Sequence, residues 1–238
     1  MSLTLDYFIH EDLKLYQDCE HFRFNTDTKL LAQFVRLKKQ ERILDIGTNN
    51  GALLVYFDQF HIKELVGVEV LEETSKVAQK NADCFIKHPV KIVNQPIQEY
   101  VDDLFDVVVS NPPYFKTNNT LFENNNIIKA SARHEKLLTL EDILRVSKYL
   151  LKNNGRLAMV HRTERLMEIL FLMKKYNIEP KKIRFVYPNN AKNSDLVLIE
   201  GTLNGKSGLK IMNPLFVYVK KDADPSVSRF LEVYILKK

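Results

Sequence analysis

The 238-residue chain has no run of 18 apolar residues, so no segment reads as a membrane-spanning helix. Its opening, Met1 to His10, lacks the basic-then-apolar order of a secretory leader, and a cytoplasmic location is expected. Cysteine is scarce. Cys19 and Cys84 have no spacing that suggests a zinc site, and both read as ordinary reduced thiols, with no metal site expected. There is no internal repeat and no long linker. With 45% hydrophobic residues the chain can bury one sizeable core, so residues 1–238 read as a single domain. Residues 1–40 form an N-terminal extension with a helix, and 41–238 form the core. Nothing in the sequence fixes the oligomeric state.

The net charge of +5 is modest, but its distribution is uneven. Residues 129–192 hold 15 Lys and Arg against 6 Asp and Glu, whereas residues 1–128 hold 13 against 19. That basic stretch has two readings. It is either a solvated helix surface or a face that contacts phosphates.

Apolar and polar residues alternate between strand and helix periods along most of the chain. Arg42 to Ile46, Glu64 to Glu69, Val90 to Val93 and Phe105 to Val109 read as strands, the last suited to burial on both faces. Ala52 to Phe60, Glu72 to Phe85, Leu140 to Leu151 and Thr163 to Tyr176 read as helices, with Asn153-Asn154-Gly155 as the cap ending the third. Arg156 to Val160, Lys182 to Tyr187, Leu196 to Thr202 and Leu215 to Lys220 complete the strands. A turn containing Gly201, Gly205 and Gly208 is expected among them, and Asp224-Pro225 opens a short closing helix. Such alternation predicts an α/β fold with a largely parallel, doubly wound sheet. Residues 117–129, rich in asparagine, have no clear period and read as a surface loop or a loop closing over substrate.

The first strand carries Asp45 at its carboxyl end and leads through Gly47-Thr48-Asn49-Asn50-Gly51 into a helix, an arrangement that lets backbone amides approach a nucleotide-type cofactor. The G-x-G-x-x-G spacing of dinucleotide folds is missing. Asn49 tolerates positive φ better than most residues, so the turn can survive it. Glu69, at the end of the next strand, is placed to accept two ribose hydroxyls, and Asp45 to meet an amino group. An adenine would lie between Val70 and Ile97.

Asn111-Pro112-Pro113-Tyr114 follows the fourth strand directly and is the most specific local signal. A hydride-transfer site does not require it. An amine conjugated to a ring or carbonyl is a poor nucleophile, because its lone pair is delocalised. The Asn111 side-chain carbonyl and the Pro112 backbone carbonyl can accept its two N–H groups and stabilise the positive charge that develops as it is alkylated. The prolines hold the turn rigid, and Tyr114 can stack on the planar acceptor. By themselves the four residues point to a planar nitrogen acceptor; downstream of the glycine-containing cofactor loop they read as a site for methyl transfer from S-adenosylmethionine.

With Phe22 to Asp27, Leu30-Leu31-Ala32, Ile43 to Gly51, Asn111 to Tyr114, Ala132-Arg133-His134-Glu135 and Pro214-Leu215, the chain resembles the bacterial tRNA1(Val) (adenine-37-N6)-methyltransferases. These are small-domain, class I enzymes that use S-adenosylmethionine. The resemblance spans nearly the whole chain and implies a Rossmann-like, seven-stranded, mostly parallel sheet with helices on both faces. It also implies a tRNA substrate methylated at N6 of adenine 37. Phe22 to Asp27 would border the cofactor, which Asp45, Gly47, Asn49, Gly51, Glu69, Val70, Ile97 and Asn111 would hold. Arg133 and His134 would lie on the RNA side, Arg133 being the better phosphate contact. The chain departs from relatives in having Asn49 where many have glycine, and no carboxylate at Gln95 or Pro96 to hold the adenine amino group. Both departures bear on cofactor affinity rather than reaction type.

Two other readings stay open. Protein glutamine N5-methyltransferases use the same tetrapeptide, but the 42 residues before Ile43 are too few for the helical domain expected upstream. The chain could also be a tRNA-binding module with a decayed cofactor site, a reading that Asn49 keeps alive.

Overall fold

A computed structural model describes residues 2–18, 23–112, 138–189 and 192–217. The elements in chain order are β1 (Leu3–Tyr7), β2 (Lys14–Asp18), α1 (Thr26–Phe34), β3 (Arg42–Ile46), α2 (Ala52–Phe57), β4 (Glu64–Glu69), α3 (Glu72–Phe85) and β5 (Val90–Asn94). There follow β6 (Phe105–Ser110), α4 (Leu140–Leu150), β7 (Leu151–Arg162), α5 (Leu166–Lys175), β8 (Ile178–Tyr187), β9 (Leu196–Leu203), β10 (Lys210–Ile211) and β11 (Leu215–Phe216).

Seven long strands lie in the order β5-β4-β3-β6-β7-β9-β8, the sheet expected from the sequence. All neighbours from β5 to β7 are parallel, whereas β9 runs antiparallel to both β7 and β8. The two-residue β10 and β11 extend the outer edge of β8. Strand order reverses beside β3, since β4 and β5 continue to one side and β6 and β7 to the other. That reversal opens a crevice at the carboxyl ends of the strands.

The central strands are buried on both faces and divide the core in two. Ile43, Leu65, Val107 and Val109 face the α1 and α2 side, while Leu44, Ile46, Val66, Val68 and Val108 face the α4 side. Parity then fixes the odd-numbered neighbours. Asp45, Gly67, Glu69 and Asn111 all fall on the α1 and α2 face, because side chains alternate with a period of two.

Several elements differ from their sequence reading. The N-terminal hairpin of β1 and β2 precedes the expected helix. α2 stops at Phe57, three residues short of Phe60. Asn153-Asn154-Gly155 does not cap α4, which ends at Leu150. It forms a bulge inside β7, where pairing with β6 jumps from Leu151 to Arg156 and Asn154 takes a φ of 64°. α4 begins with a capping box between Thr139 and Asp142. Gly201 lies within β9 rather than in a turn, and a Cβ there would collide with Met173 Cε. The 117–129 loop, the helix at Asp224-Pro225 and Cys19 lie outside the described residues; Cys84 is an exposed free thiol. Among the described residues, no helix is long and apolar enough to cross a membrane.

Candidate active site at the carboxyl edge of the sheet

The loop after β3 is built as its residues require. Gly47, Asn49 and Gly51 have φ of 70°, 52° and 79°, so the asparagine occupies the left-handed region that its sequence position demanded. Gly47 and Thr48 donate their backbone N–H groups to Val68 O at 2.9 and 3.1 Å, anchoring the loop on β4. The loop can lie so close because β4 has glycine opposite Asp45. A Cβ on Gly67 would stand 2.8 Å from both Leu54 Cδ1 and Thr48 Cγ2.

Asp45 is 1% exposed, and Oδ2 accepts the Thr48 hydroxyl at 2.8 Å. Its Oδ1 is buried without a hydrogen-bond partner, as is Asn49 Oδ1. Burial pushes the Asp45 carboxyl up to about 7; the Thr48 hydrogen bond opposes that shift, and the nearby charge of Glu69 adds to it. A buried acceptor left unsatisfied is costly, and it fits a ligand that brings a cationic donor.

Glu69 is also buried. Its Oε2 accepts the Asn49 N–H at 2.9 Å and its Oε1 accepts the Leu71 N–H at 3.0 Å. Each carboxylate oxygen accepts more than one hydrogen bond, so these anchors hold the group without exhausting it. Val70 is half-buried directly after β4, and Ile97 is buried in a 3-10 turn after β5. The two strand ends are tied together by Asn94, whose Nδ2 donates to Glu69 O at 2.8 Å and Val70 O at 3.1 Å. The sequence reading had given no role to Asn94, Thr48 or Gly67.

Asn111 follows β6 on the same face. Ser110, one residue earlier, points the opposite way and donates its hydroxyl to Ile46 O at 2.9 Å, joining the ends of β6 and β3. Asn111 Nδ2 donates to Thr28 Oγ1 on α1 at 2.9 Å. Pro112 is buried. The structure thus gathers Asp45, Gly47, Asn49, Gly51, Glu69 and Asn111 along one crevice edge, with Val70 and Ile97 at the far end. Pro113, Tyr114, Arg133 and His134 lie outside the described residues.

The basic stretch resolves largely into ion pairs. Arg145, Lys152, Arg156 and Arg162 pair with Asp142, Asp106, Glu41 and Asp195. Arg165, Lys174, Lys175 and Lys182 pair with Glu168, Glu179, Glu141 and Glu200. Local carboxylates therefore neutralise most of the described cations of this stretch, as on a solvated surface. No group of three or more His, Cys, Asp or Glu among the described residues could hold a metal ion.

Comparison with known proteins bears on the family and the fold. The family model described as "Methyltransferase small domain" matches residues 20–179. A tRNA1(Val) (adenine(37)-N6)-methyltransferase of Parabacteroides distasonis is 26% identical over 186 residues, covering 76% of this chain and 77% of the relative. Among solved structures, a predicted O-methyltransferase of Agrobacterium tumefaciens superposes with a TM-score of 0.64 at 17% identity, covering 86% of this chain and 95% of that one. A SAM-dependent methyltransferase of Aquifex aeolicus gives 0.53 at 14% identity, covering 74% and 89%.

Proposed function

The chain belongs to the methyltransferase small domain family, and from that premise we propose that it methylates the exocyclic N6 amine of an adenine in tRNA, at anticodon-loop position 37. It is an S-adenosylmethionine-dependent N-methyltransferase, working as one domain in the cytoplasm. The bound cofactor supplies a methyl group on a sulfonium. The observation that carries the reading is the placement of Asn111 at the end of β6, on the same face and edge as Asp45 and Glu69.

Each residue has a chemical task in this reading. Asp45 Oδ1 would hold the amino group of the cofactor's methionine part, and Glu69 would hold the ribose hydroxyls. Val70 and Ile97 would flank the adenine ring. The Asn111 side-chain oxygen and the Pro112 carbonyl accept the two N–H groups of the target amine, which aligns its lone pair and stabilises charge developing on nitrogen. In this reading Tyr114 would stack on the base, and Arg133 and His134 would meet the RNA. A loop adenine is already nearly unstacked, so it reaches a pocket without the cost of opening a duplex. No dedicated base is needed, because the alkylated nitrogen becomes acidic enough to lose its proton to water.

Nucleoside analysis of total tRNA labelled with S-adenosylmethionine tests the proposal, with N6-methyladenosine as the expected product. Label appearing in a release factor and not in RNA would turn the assignment to a protein glutamine. Tight tRNA binding without cofactor affinity would turn it to a binding module. Asn111→Ala is expected to abolish transfer while leaving cofactor binding by calorimetry largely intact.

A further inference from the structure

The role given to Asn111 requires one particular end of its side-chain amide, since only the oxygen can accept an amine N–H. An amide turned through 180° presents its NH2 group instead and repels the acceptor. Something must set that orientation. The structure holds a short relay on α1 whose polarity is set from a group that can only donate.

The relay starts at Asn25, the N-cap of α1, whose Oδ1 accepts the backbone N–H of Thr28 at 3.1 Å. A backbone amide can only donate, so this atom is the oxygen of Asn25. The same oxygen lies 3.2 Å from Thr28 Oγ1 and takes the hydroxyl proton. With its single proton committed, the Thr28 oxygen has only lone pairs to offer on its other side. Asn111 Nδ2 meets those lone pairs at 2.9 Å. The reverse amide orientation would either set two oxygens face to face or draw the Thr28 proton away from Asn25 Oδ1, losing that hydrogen bond. Thr28 is 7% exposed, so water cannot readily relieve such a mismatch.

We infer that Thr28, with its proton held by Asn25, is a positioning residue that fixes the Asn111 amide with Nδ2 toward α1 and Oδ1 on the opposite side, where the acceptor amine is received. This inference rests on the catalytic reading of Asn111 given above. It gives the N-terminal helix a task in substrate handling, 83 residues away in sequence from the residue it orients.

The test uses the full chain, tRNA and labelled S-adenosylmethionine. Thr28→Val keeps the side-chain shape and removes the acceptor. Its kcat is expected to fall about tenfold or more, with cofactor KM and calorimetric Kd within about threefold of wild type, because the lost interaction acts only on the reacting amine. Thr28→Ser restores the hydroxyl and is expected to recover kcat to within about threefold of wild type. Asn25→Gly keeps a tolerated helix cap and releases the Thr28 proton, so it is expected to lower kcat about threefold or more; because Asn25 lies in the stretch that would border the cofactor, kcat is read at saturating S-adenosylmethionine. Wild-type kcat in Thr28→Val, an equal loss in Thr28→Ser, or a parallel loss of cofactor affinity would each overturn the inference. Should Thr28→Val fail to fold, Asn25→Gly decides alone: lowered kcat at saturating S-adenosylmethionine supports the relay, and wild-type kcat rejects it. Asn111→Ala, measured alongside, separates the two readings. Transfer retained there rejects the catalytic role of Asn111. Transfer abolished there with Thr28→Val unaffected rejects the relay alone.

Discussion

Asp45 is the residue where folding and ligand binding oppose each other most directly. Its carboxyl is buried, one oxygen lacks a partner, and burial pushes it up to about 7. A cationic amine arriving at Oδ1 favours the ionised form. Cofactor affinity should therefore weaken as pH falls below about 7, approaching tenfold per unit in the limit, as titration calorimetry from pH 8 to 5 would register. Asp45→Asn should remove that pH dependence together with most of the affinity. If the Asp45→Asn protein bound as tightly as wild type at pH 8, the amine would have to be held elsewhere. The sequence made Asp45 legible because it ends an apolar strand before a glycine turn. It gave no hint of Thr28, because a threonine in the first turn of a helix reads as ordinary capping chemistry.

At the scale of elements, the N-terminal hairpin is fastened to the cofactor loop by a buried asparagine. Asn81 on α3 is 0% exposed; its Oδ1 accepts the Tyr16 N–H at 2.7 Å, and its Nδ2 donates to Tyr16 O at 2.9 Å and Asn50 O at 2.8 Å. Gln17 adds a second fastening, since its Oε1 accepts the Phe24 N–H at 3.0 Å and the Asn50 side-chain amide at 3.4 Å. Asn81→Ala would leave several buried backbone groups unsatisfied, a loss of about 2 to 4 kcal/mol. Chemical denaturation should show that loss, and amide exchange should quicken first in β2. Exchange that quickens uniformly would mean that the hairpin is not a separable unit. Its spacing from Val77, Ala78 and Ala82 sets Asn81 on the inner side of α3, but periodicity cannot say that it faces a hairpin instead of a core. The hairpin itself escaped notice because β1 and β2 are only five residues each, too short for the alternation in Leu3–Tyr7 to stand out.

Across the whole molecule, two buried groups tilt stability against each other with pH. Asp45 has a raised value when folded, so the stability it contributes is full below about 3.8, its unfolded value, and is lost as pH rises through about 7. His161, 1% exposed on β7, is pushed down to about 3 by burial and by the charge of Arg165, so its contribution is present above about 6.5 and is lost as pH falls toward 3. Between about pH 6.5 and 4 the two slopes, each on the order of 1 kcal/mol per unit, run in opposite directions and nearly cancel. Urea midpoints without cofactor should thus vary little in wild type over that window. They should fall with acidification in Asp45→Asn and rise in His161→Gln; parallel curves for all three proteins would contradict the assignment. What the sequence determined by itself is the order and kind of the central elements, with β3, β4 and α3 at their expected bounds, because strong apolar periods and turn residues are local properties. It also determined which residues end the strands, and hence Asp45, Glu69 and Asn111. The tertiary structure alone decided that these three share one face, that Gly67 makes room for the loop, and that α1 reaches Asn111. Those facts depend on strand order, register and packing between residues far apart in the chain, and a local pattern does not encode them.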